Sequence, residues 1–149
     1  MSPVFDPTRH PHRRYNPLAD RWVLVSPQRT QRPWQGQQDT PDTSARPQHD
    51  PQCPLCPGNA RAHGRQNPDY RGPHVFDNDF PALLPESPMP DDQGDPLLRA
   101  APARGVSRVL CFSHDHGLSL PELSPPDRRA VVDTWCTQSE ELGSAWPWV

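Results

Sequence analysis

The stretch Cys53-Pro54-Leu55-Cys56-Pro57-Gly58-Asn59 decides the fold. Two cysteines three positions apart in a rigid turn can present two thiolates to one tetrahedral metal ion. The same spacing occurs in redox dithiols, which open a helix after a strand, and in pairs of buried thiols that bind nothing. Because Pro54, Pro57 and Gly58 disfavour a helix at this point, the stretch favours a metal site, with zinc as the ion.

Two histidines, His114 and His116, follow a predicted strand and are the candidates for a further metal ligand. Side chains at i and i+2 of an extended chain point to the same side and would crowd one ion. We therefore expect one of the two to bind, and the residues alone leave both open. With Cys53 and Cys56 this makes three ligands, whereas zinc prefers four.

Short apolar segments between long proline-rich loops predict an α+β fold with one clear helix. The strands are expected at residues 21–26, 75–76 and 106–112, which are rich in β-branched and aromatic residues. We expect an extended arm at 1–14 and loops at 27–33, 35–52 and 85–103. In the arm, the pair His10 and His12 is interpreted as solvent-exposed rather than catalytic.

The helix is predicted to begin after Ser124, which is followed by two prolines and by Asp127 at the position of a capping box. Gly143 is the expected stop. The apolar face at helical spacing consists of Val131, Val132, Trp135 and Leu142.

Composition limits the function. Proline makes up 23 of 149 residues and the net charge is −3, so there is no basic excess for nucleic acid. No apolar run approaches the ~18 residues of a membrane span, and no secretory signal is recognisable. We expect a cytoplasmic protein that binds neither nucleic acid nor membrane, with Cys111 and Cys136 as buried thiols.

Two further patterns are candidates for ligand binding. Arg29 and Arg32 could bind a phosphate, although two solvated arginines would look the same. Asn78 and Asp79 could bond to a ribose or to the edge of a base, although turns commonly carry this pair.

The last residues, Trp146-Pro147-Trp148-Val149, look like the start of another strand, with both tryptophans in a core. We therefore expect residues 1–149 to be a truncated N-terminal domain of a longer protein.

Several stretches, in order along nearly the whole chain, resemble the N-terminal part of the galactose-1-phosphate uridylyltransferase family. They are residues 10–18, 22–27, 32–36, 53–58, 76–83, 103–105, 141–143 and 147–149. The resemblance implies the incomplete N-terminal half of a histidine-triad-like fold, which is built on an antiparallel sheet. It also implies exchange of UMP between UDP-glucose and galactose 1-phosphate through a uridylyl-histidine, in galactose metabolism.

The resemblance assigns roles to particular residues. Cys53, Cys56 and His116 fall on zinc ligands, which selects His116 over His114. The positions that bind the UDP-sugar are Arg29, Thr30, Gln31, Arg32, Ala62, Asn78 and Asp79. The arginine loop would serve the neighbouring subunit of a homodimer. The fourth zinc ligand, the nucleophilic histidine and an iron site are expected beyond Val149, so the 149-residue chain should be inactive alone.

Two alternatives remain at this stage. One is a stand-alone zinc-binding interaction module without catalysis. The other is a nucleotidyltransferase of the same superfamily that uses another sugar phosphate.

Overall fold

The computed structural model describes residues 4–32, 46–91 and 94–149. Its strands and its α-helix are β1 (His12–Asn16), β2 (Arg21–Val25), β3 (His74–Asp77), β4 (Ala100–Pro102), β5 (Arg108–Cys111) and α1 (Pro125–Gly143). Short 3-10 helices lie at Pro27–Gln31, Ala62–Gly64 and Leu120–Glu122. Antiparallel strands with one α-helix in the described residues make this an α+β protein, as predicted. Of the expected loop at 35–52, residues 35–45 lie outside the described residues.

The chain divides into two compact units. The first comprises the described residues of Met1–Gln35 and Phe80–Ser107, and the second those of Gly36–Asp79 and Arg108–Val149. Each unit has its own sheet, three-stranded in the order β2-β1-β4 in the first and two-stranded, β3-β5, in the second.

His12 begins the central strand of the first unit and is only 1% exposed. It lies between Val25 of β2 and Pro102 of β4 in the antiparallel register. Arg14 Nε donates to His12 Nε2 (3.0 Å). Since a guanidinium can only donate, the ring proton resides on Nδ1, which donates to the His10 carbonyl (2.8 Å).

The interpretation of this segment as a solvent-exposed arm is therefore wrong. β1 reads His-Arg-Arg-Tyr-Asn and carries no apolar alternation, so its sequence gives no strand signal. Pairing with two neighbouring strands buries His12 in spite of its polarity. β4 was also missed, because Ala100–Pro102 contains no strong β-former.

In the second unit, helix α1 is connected by hydrogen bonds to the two-stranded sheet of β3 and β5, here called the β3-β5 ribbon. The ribbon pairs His74 with Cys111 and Asp77 with Arg108. Arg108 reaches Gln138 and Glu141 (2.8 Å) on the helix.

The predicted start of α1 is confirmed in detail. Ser124 is the N-cap, and its Oγ accepts from the Asp127 N–H. The helix runs through Gly143 and ends at Ser144, one residue later than expected.

The predicted apolar face of the helix is buried only in part. Val131 is 1% exposed, whereas Val132 and Trp135 are 46% and 49% exposed. Helical spacing shows which side chains share a face, but it does not show what packs against that face.

The predictions for Cys136 and for the C-terminal segment at residues 146–149 are wrong, whereas the prediction for Cys111 is confirmed. Cys111 is buried as expected, but Cys136 on the helix is exposed. Trp148 is 89% exposed, and no strand forms at residues 146–149 of the described chain. Among the described residues, no helix combines the length and the apolar character that crossing a bilayer requires.

Candidate functional site

Three potential metal ligands come together in the second unit. One ligand atom each of Cys53, Cys56 and His116 lies within 4.8 Å of the others. Cys56 Sγ and His116 Nδ1 are 3.5 Å apart. A tetrahedral ion with bonds of about 2.3 Å to sulfur and about 2.0 Å to nitrogen would hold these two atoms about 3.5 Å apart. The three side chains therefore fit one zinc-sized ion, and His114 is exposed and outside this group.

The local sequence explains how the two cysteines face the same point. The Cys56 N–H donates to the Cys53 carbonyl (3.3 Å), which closes the turn. The Leu55 N–H donates to Cys53 Sγ (3.4 Å), which fixes the position of that sulfur within the turn. Gly58 has a φ of +72°, a conformation that glycine adopts without steric cost. A redox dithiol would need a helix at this point, and the described residues here form turns.

Asn67 holds the same loop from the other side, and sequence reasoning missed it. It is 3% exposed, and its Nδ2 donates to the carbonyls of Pro54 and Cys56 (both 2.9 Å). Tyr70 adds a hydroxyl bond to the Leu55 carbonyl. An asparagine in a polar loop has no distinctive spacing, so no signal in the sequence could have identified this role.

His116 is delivered by the turn that follows β5. Its backbone N–H donates to the Gln48 carbonyl (2.8 Å). Within the turn, Asp115 Oδ1 accepts from the Gly117 N–H (2.8 Å) and the Asp115 N–H donates to Ser113 Oγ (2.9 Å). The imidazole is thus placed by a hydrogen-bonded turn and not by a free loop.

Burial opposes the ionisation of the thiols around this site. Burial raises the pKa of Cys56 and also that of Cys111. Since the thiolate is the form that binds metal, a cation at the site would have to offset this effect. Cys56 is therefore poorly suited to act as a free nucleophile at neutral pH.

A second cluster contains the acidic residue predicted to bind the UDP-sugar. Asp79 Oδ1 accepts from Arg61 Nη2 (3.2 Å) and from Arg65 Nη1 (3.4 Å). The side chains of Asp79 and Arg61 are only 11% and 7% exposed, whereas that of Arg65 is 52% exposed. The Arg61 guanidinium lies 3.6 Å from the centre of the Phe76 ring.

Arg61 is incompletely paired within this cluster. Its Nε is buried and has no hydrogen-bond partner among the described residues. A buried donor of this kind costs about 1–3 kcal/mol. Arg61 was not predicted, because a single arginine beside a cysteine loop has no signal of its own.

The predicted substrate residues fall into both units. Ala62 opens a 3-10 helix that is flanked by Arg61 and Arg65. Because both arginines contact Asp79, the structure brings Ala62, Asn78 and Asp79 into one neighbourhood. Arg29, Thr30, Gln31 and Arg32 lie in the first unit and are exposed. There Thr30 Oγ1 donates to the Pro27 carbonyl (2.8 Å) at a 3-10 helix.

The metal centre and the Asp79 cluster lie towards opposite ends of the β3-β5 ribbon. His116 follows the end where His74 pairs with Cys111, and Asp79 follows the end where Asp77 pairs with Arg108. These strands span about 10 Å, at about 3.3 Å per residue. The ribbon therefore leads to His116 at one end and to Asp79 at the other.

The fold and the site define an α+β protein with a candidate Cys-Cys-His metal centre and a buried arginine-carboxylate cluster. Residues 4–149 match the family described as galactose-1-phosphate uridyl transferase, N-terminal domain. The chain belongs to this family, as its sequence resemblance predicted.

Named relatives agree with this assignment. The chain is 53% identical over 149 residues to a galactose-1-phosphate uridylyltransferase of Haemophilus influenzae, with 100% of the chain and 43% of the relative covered. It is 50% identical to that of Rattus norvegicus, with 100% and 39% covered. The chain thus spans about two fifths of the length of these relatives.

Solved structures agree on the fold. A structure of uridylyltransferase superposes with a TM-score of 0.58 at 22% identity, covering 87% of this chain and 35% of that one. A uridylyltransferase mutant gives a TM-score of 0.59 at 21% identity, covering 87% of this chain and 34% of that one.

Proposed function

We propose that the chain supplies the N-terminal, UDP-sugar-binding part of a UDP-glucose–hexose-1-phosphate uridylyltransferase. In that reaction UMP passes from UDP-glucose to galactose 1-phosphate through a uridylyl-histidine. The observation that carries the proposal is the buried carboxylate of Asp79, which two arginines hold beside Ala62 and Asn78. The family match over residues 4–149 supports the same conclusion.

The chemistry of Asp79 decides which part of the nucleotide it binds. An ionised carboxylate only accepts hydrogen bonds, so its partners must be donors such as ribose hydroxyls or the uracil N–H. The diphosphate, which only accepts, needs other residues. The exposed guanidinium groups of Arg29 and Arg32 supply donors of that kind. In the proposed homodimer of the whole protein, the segment Arg29–Arg32 serves the neighbouring subunit.

The nucleophile of the reaction lies outside these 149 residues. A histidine nitrogen attacks the α-phosphorus, the bond to glucose 1-phosphate breaks, and the phosphate of galactose 1-phosphate then takes UMP from that nitrogen. The family resemblance implies that the nucleophile belongs to a motif of the His-Pro-His-Pro-His type, and the sequence contains no His-x-His-x-His run. His12 is not a substitute, because both of its ring nitrogens are engaged in β1.

Zinc is the ion proposed for Cys53, Cys56 and His116, with a fourth ligand outside the chain. When bound, it supplies a cross-link between the cysteine loop and the turn after β5. The placement of His116 and Asp79 beyond opposite ends of the ribbon supports a structural role.

Calorimetric titration of the 149-residue chain with UDP-glucose tests the proposal, with Asp79→Asn beside it. We expect weak binding by the wild type and weaker binding by the variant, since the amide loses the negative charge. Arg71→Gln is the matched control, because Arg71 is 78% exposed and its ion pair is with exposed Asp69.

A chain that binds zinc but no UDP-sugar would refute the proposal and favour a zinc-binding interaction module. The second measurement adds both UDP-glucose and galactose 1-phosphate and separates the products by chromatography. We expect no UDP-galactose, and its formation would refute the assignment of the nucleophile to residues outside this chain.

A further inference from the structure

Arg61 differs from the other arginines around it in how tightly its position is fixed. Its side chain is 7% exposed, against 52% for Arg65 and 78% for Arg71. Its guanidinium stacks 3.6 Å from the centre of the Phe76 ring. Phe76 is itself held in β3 by its pairing with Val109 of β5. The plane of the Arg61 guanidinium is therefore set by a strand of the sheet.

A guanidinium that is fixed in one plane presents its N–H groups in fixed directions. Arg61 Nη2 donates to Asp79 Oδ1 at 3.2 Å. The Asp79 side chain is only 11% exposed, so water does little to orient its carboxylate. Arg65 bonds to the same oxygen at 3.4 Å, but from an exposed position where solvent screens the pair.

We propose that Arg61 is a positioning residue that holds the Asp79 carboxylate in place and oriented for hydrogen-bond donors of the UDP-sugar. This inference rests on the proposed function and deepens it, since Arg61 is not among the residues that the family resemblance assigns to the site. Phe76 in β3 positions the Arg61 guanidinium, and Arg61 in turn positions the Asp79 carboxylate that would bind the ligand.

The unpaired Nε of Arg61 supports a role beyond packing. A buried donor without a partner is uncommon in native proteins, and a purely structural ion pair would be expected to satisfy it. The contacts with Phe76 and Asp79 instead determine where the guanidinium lies, and in that position Nε makes no hydrogen bond among the described residues.

The inference is tested by a double-mutant cycle on UDP-glucose binding in the 149-residue chain. The variants are Arg61→Lys, Arg61→Met, Asp79→Asn and the pair Arg61→Lys/Asp79→Asn, with Arg71→Gln as control. Lysine keeps the charge but loses the stacked plane and the fork. We expect Arg61→Lys to raise Kd about tenfold, by analogy with the loss of a residue that orients a metal ligand, and Arg61→Met to raise it further.

The coupling between the two sites is the decisive readout. If Arg61 acts through Asp79, Arg61→Lys adds little to Kd once Asp79 is Asn. Urea unfolding of each variant checks the fold, and if Arg61→Met does not fold, Arg61→Lys alone carries the test. Unchanged Kd in folded Arg61→Lys, or additive effects in the double variant, would overturn the inference while leaving the proposed function intact. No binding by the wild type would overturn both.

Discussion

The buried imidazole of His12 offers the sharpest test of how the first unit is held together. Replacing His12 with Leu keeps the size of the side chain roughly constant and removes two hydrogen bonds. The exposed Arg14 regains water, so its lost bond costs about 1 kcal/mol. The partly buried His10 carbonyl is left without its partner, which costs about 1–3 kcal/mol.

We expect His12→Leu to lower the free energy of unfolding by about 2–3 kcal/mol after the apolar gain of leucine is set against these losses. His12→Gln is the matched control, because its amide can donate to His10 and accept from Arg14. It should cost less than His12→Leu. The measurement is urea unfolding followed by circular dichroism at one fixed pH, with the midpoint and the slope fitted separately.

Two outcomes would refute the reasoning about His12. If His12→Leu unfolds within about 0.5 kcal/mol of the wild type, the two hydrogen bonds contribute nothing net. If His12→Gln loses as much as His12→Leu, the shape of the imidazole matters and its bonding does not.

Three further expectations concern the second unit. Val131→Ala should lower the free energy of unfolding in urea by about 2 kcal/mol, because Val131 is buried. Val132→Ala, on the exposed side of the helix, should lower it by under about 0.5 kcal/mol. Equal losses of stability would mean that the helix packs differently. Burial, with a smaller effect from a nearby arginine, lowers the pKa of His74. The folded state then binds fewer protons than the unfolded one, so this stabilisation is complete above about pH 6.5 and is lost as the pH falls through the lower folded pKa. Unfolding free energies measured between pH 7.5 and 5 should fall less in His74→Phe than in the wild type, and parallel profiles would contradict this. Cys53→Ser should reduce the amount of bound zinc, measured by mass spectrometry of dialysed protein. Cys136→Ser, which removes an exposed thiol, should leave the zinc content unchanged. An unchanged zinc content in Cys53→Ser would show that Cys53 is not a ligand of the candidate metal centre.

Much of the candidate metal centre was predictable because its parts are local. The spacing of Cys53 and Cys56 and the glycine at position 58 act within one turn, and the structure reproduces that turn. The choice between His114 and His116 was not predictable from spacing. It came from the family resemblance, and it agrees with the group that the structure brings together.

The supporting residues were not predictable, because their roles depend on contacts far away in sequence. Asn67 bonds to the loop at Pro54 and Cys56, and Arg61 meets Asp79 and Phe76 only after β3 and β5 have paired. Neither residue has a periodic pattern or a motif. The assignment of Arg29–Arg32, Ala62, Asn78 and Asp79 to the UDP-sugar stays a prediction, as do the cytoplasmic location and the homodimer.

The sequence by itself determined the family, the cysteine turn and the start of the helix at Ser124, since each depends on residues a few positions apart. Proline, glycine and a capping serine act through backbone sterics and single hydrogen bonds, which are the same in any fold. Tertiary structure alone decided that His12 is buried, that Trp135 and Cys136 are not, and that Arg61 holds Asp79. Burial and long-range pairing depend on which elements pack against each other. The residue pattern of a helix or strand shows which of its side chains share a face, but it does not show which other element covers that face.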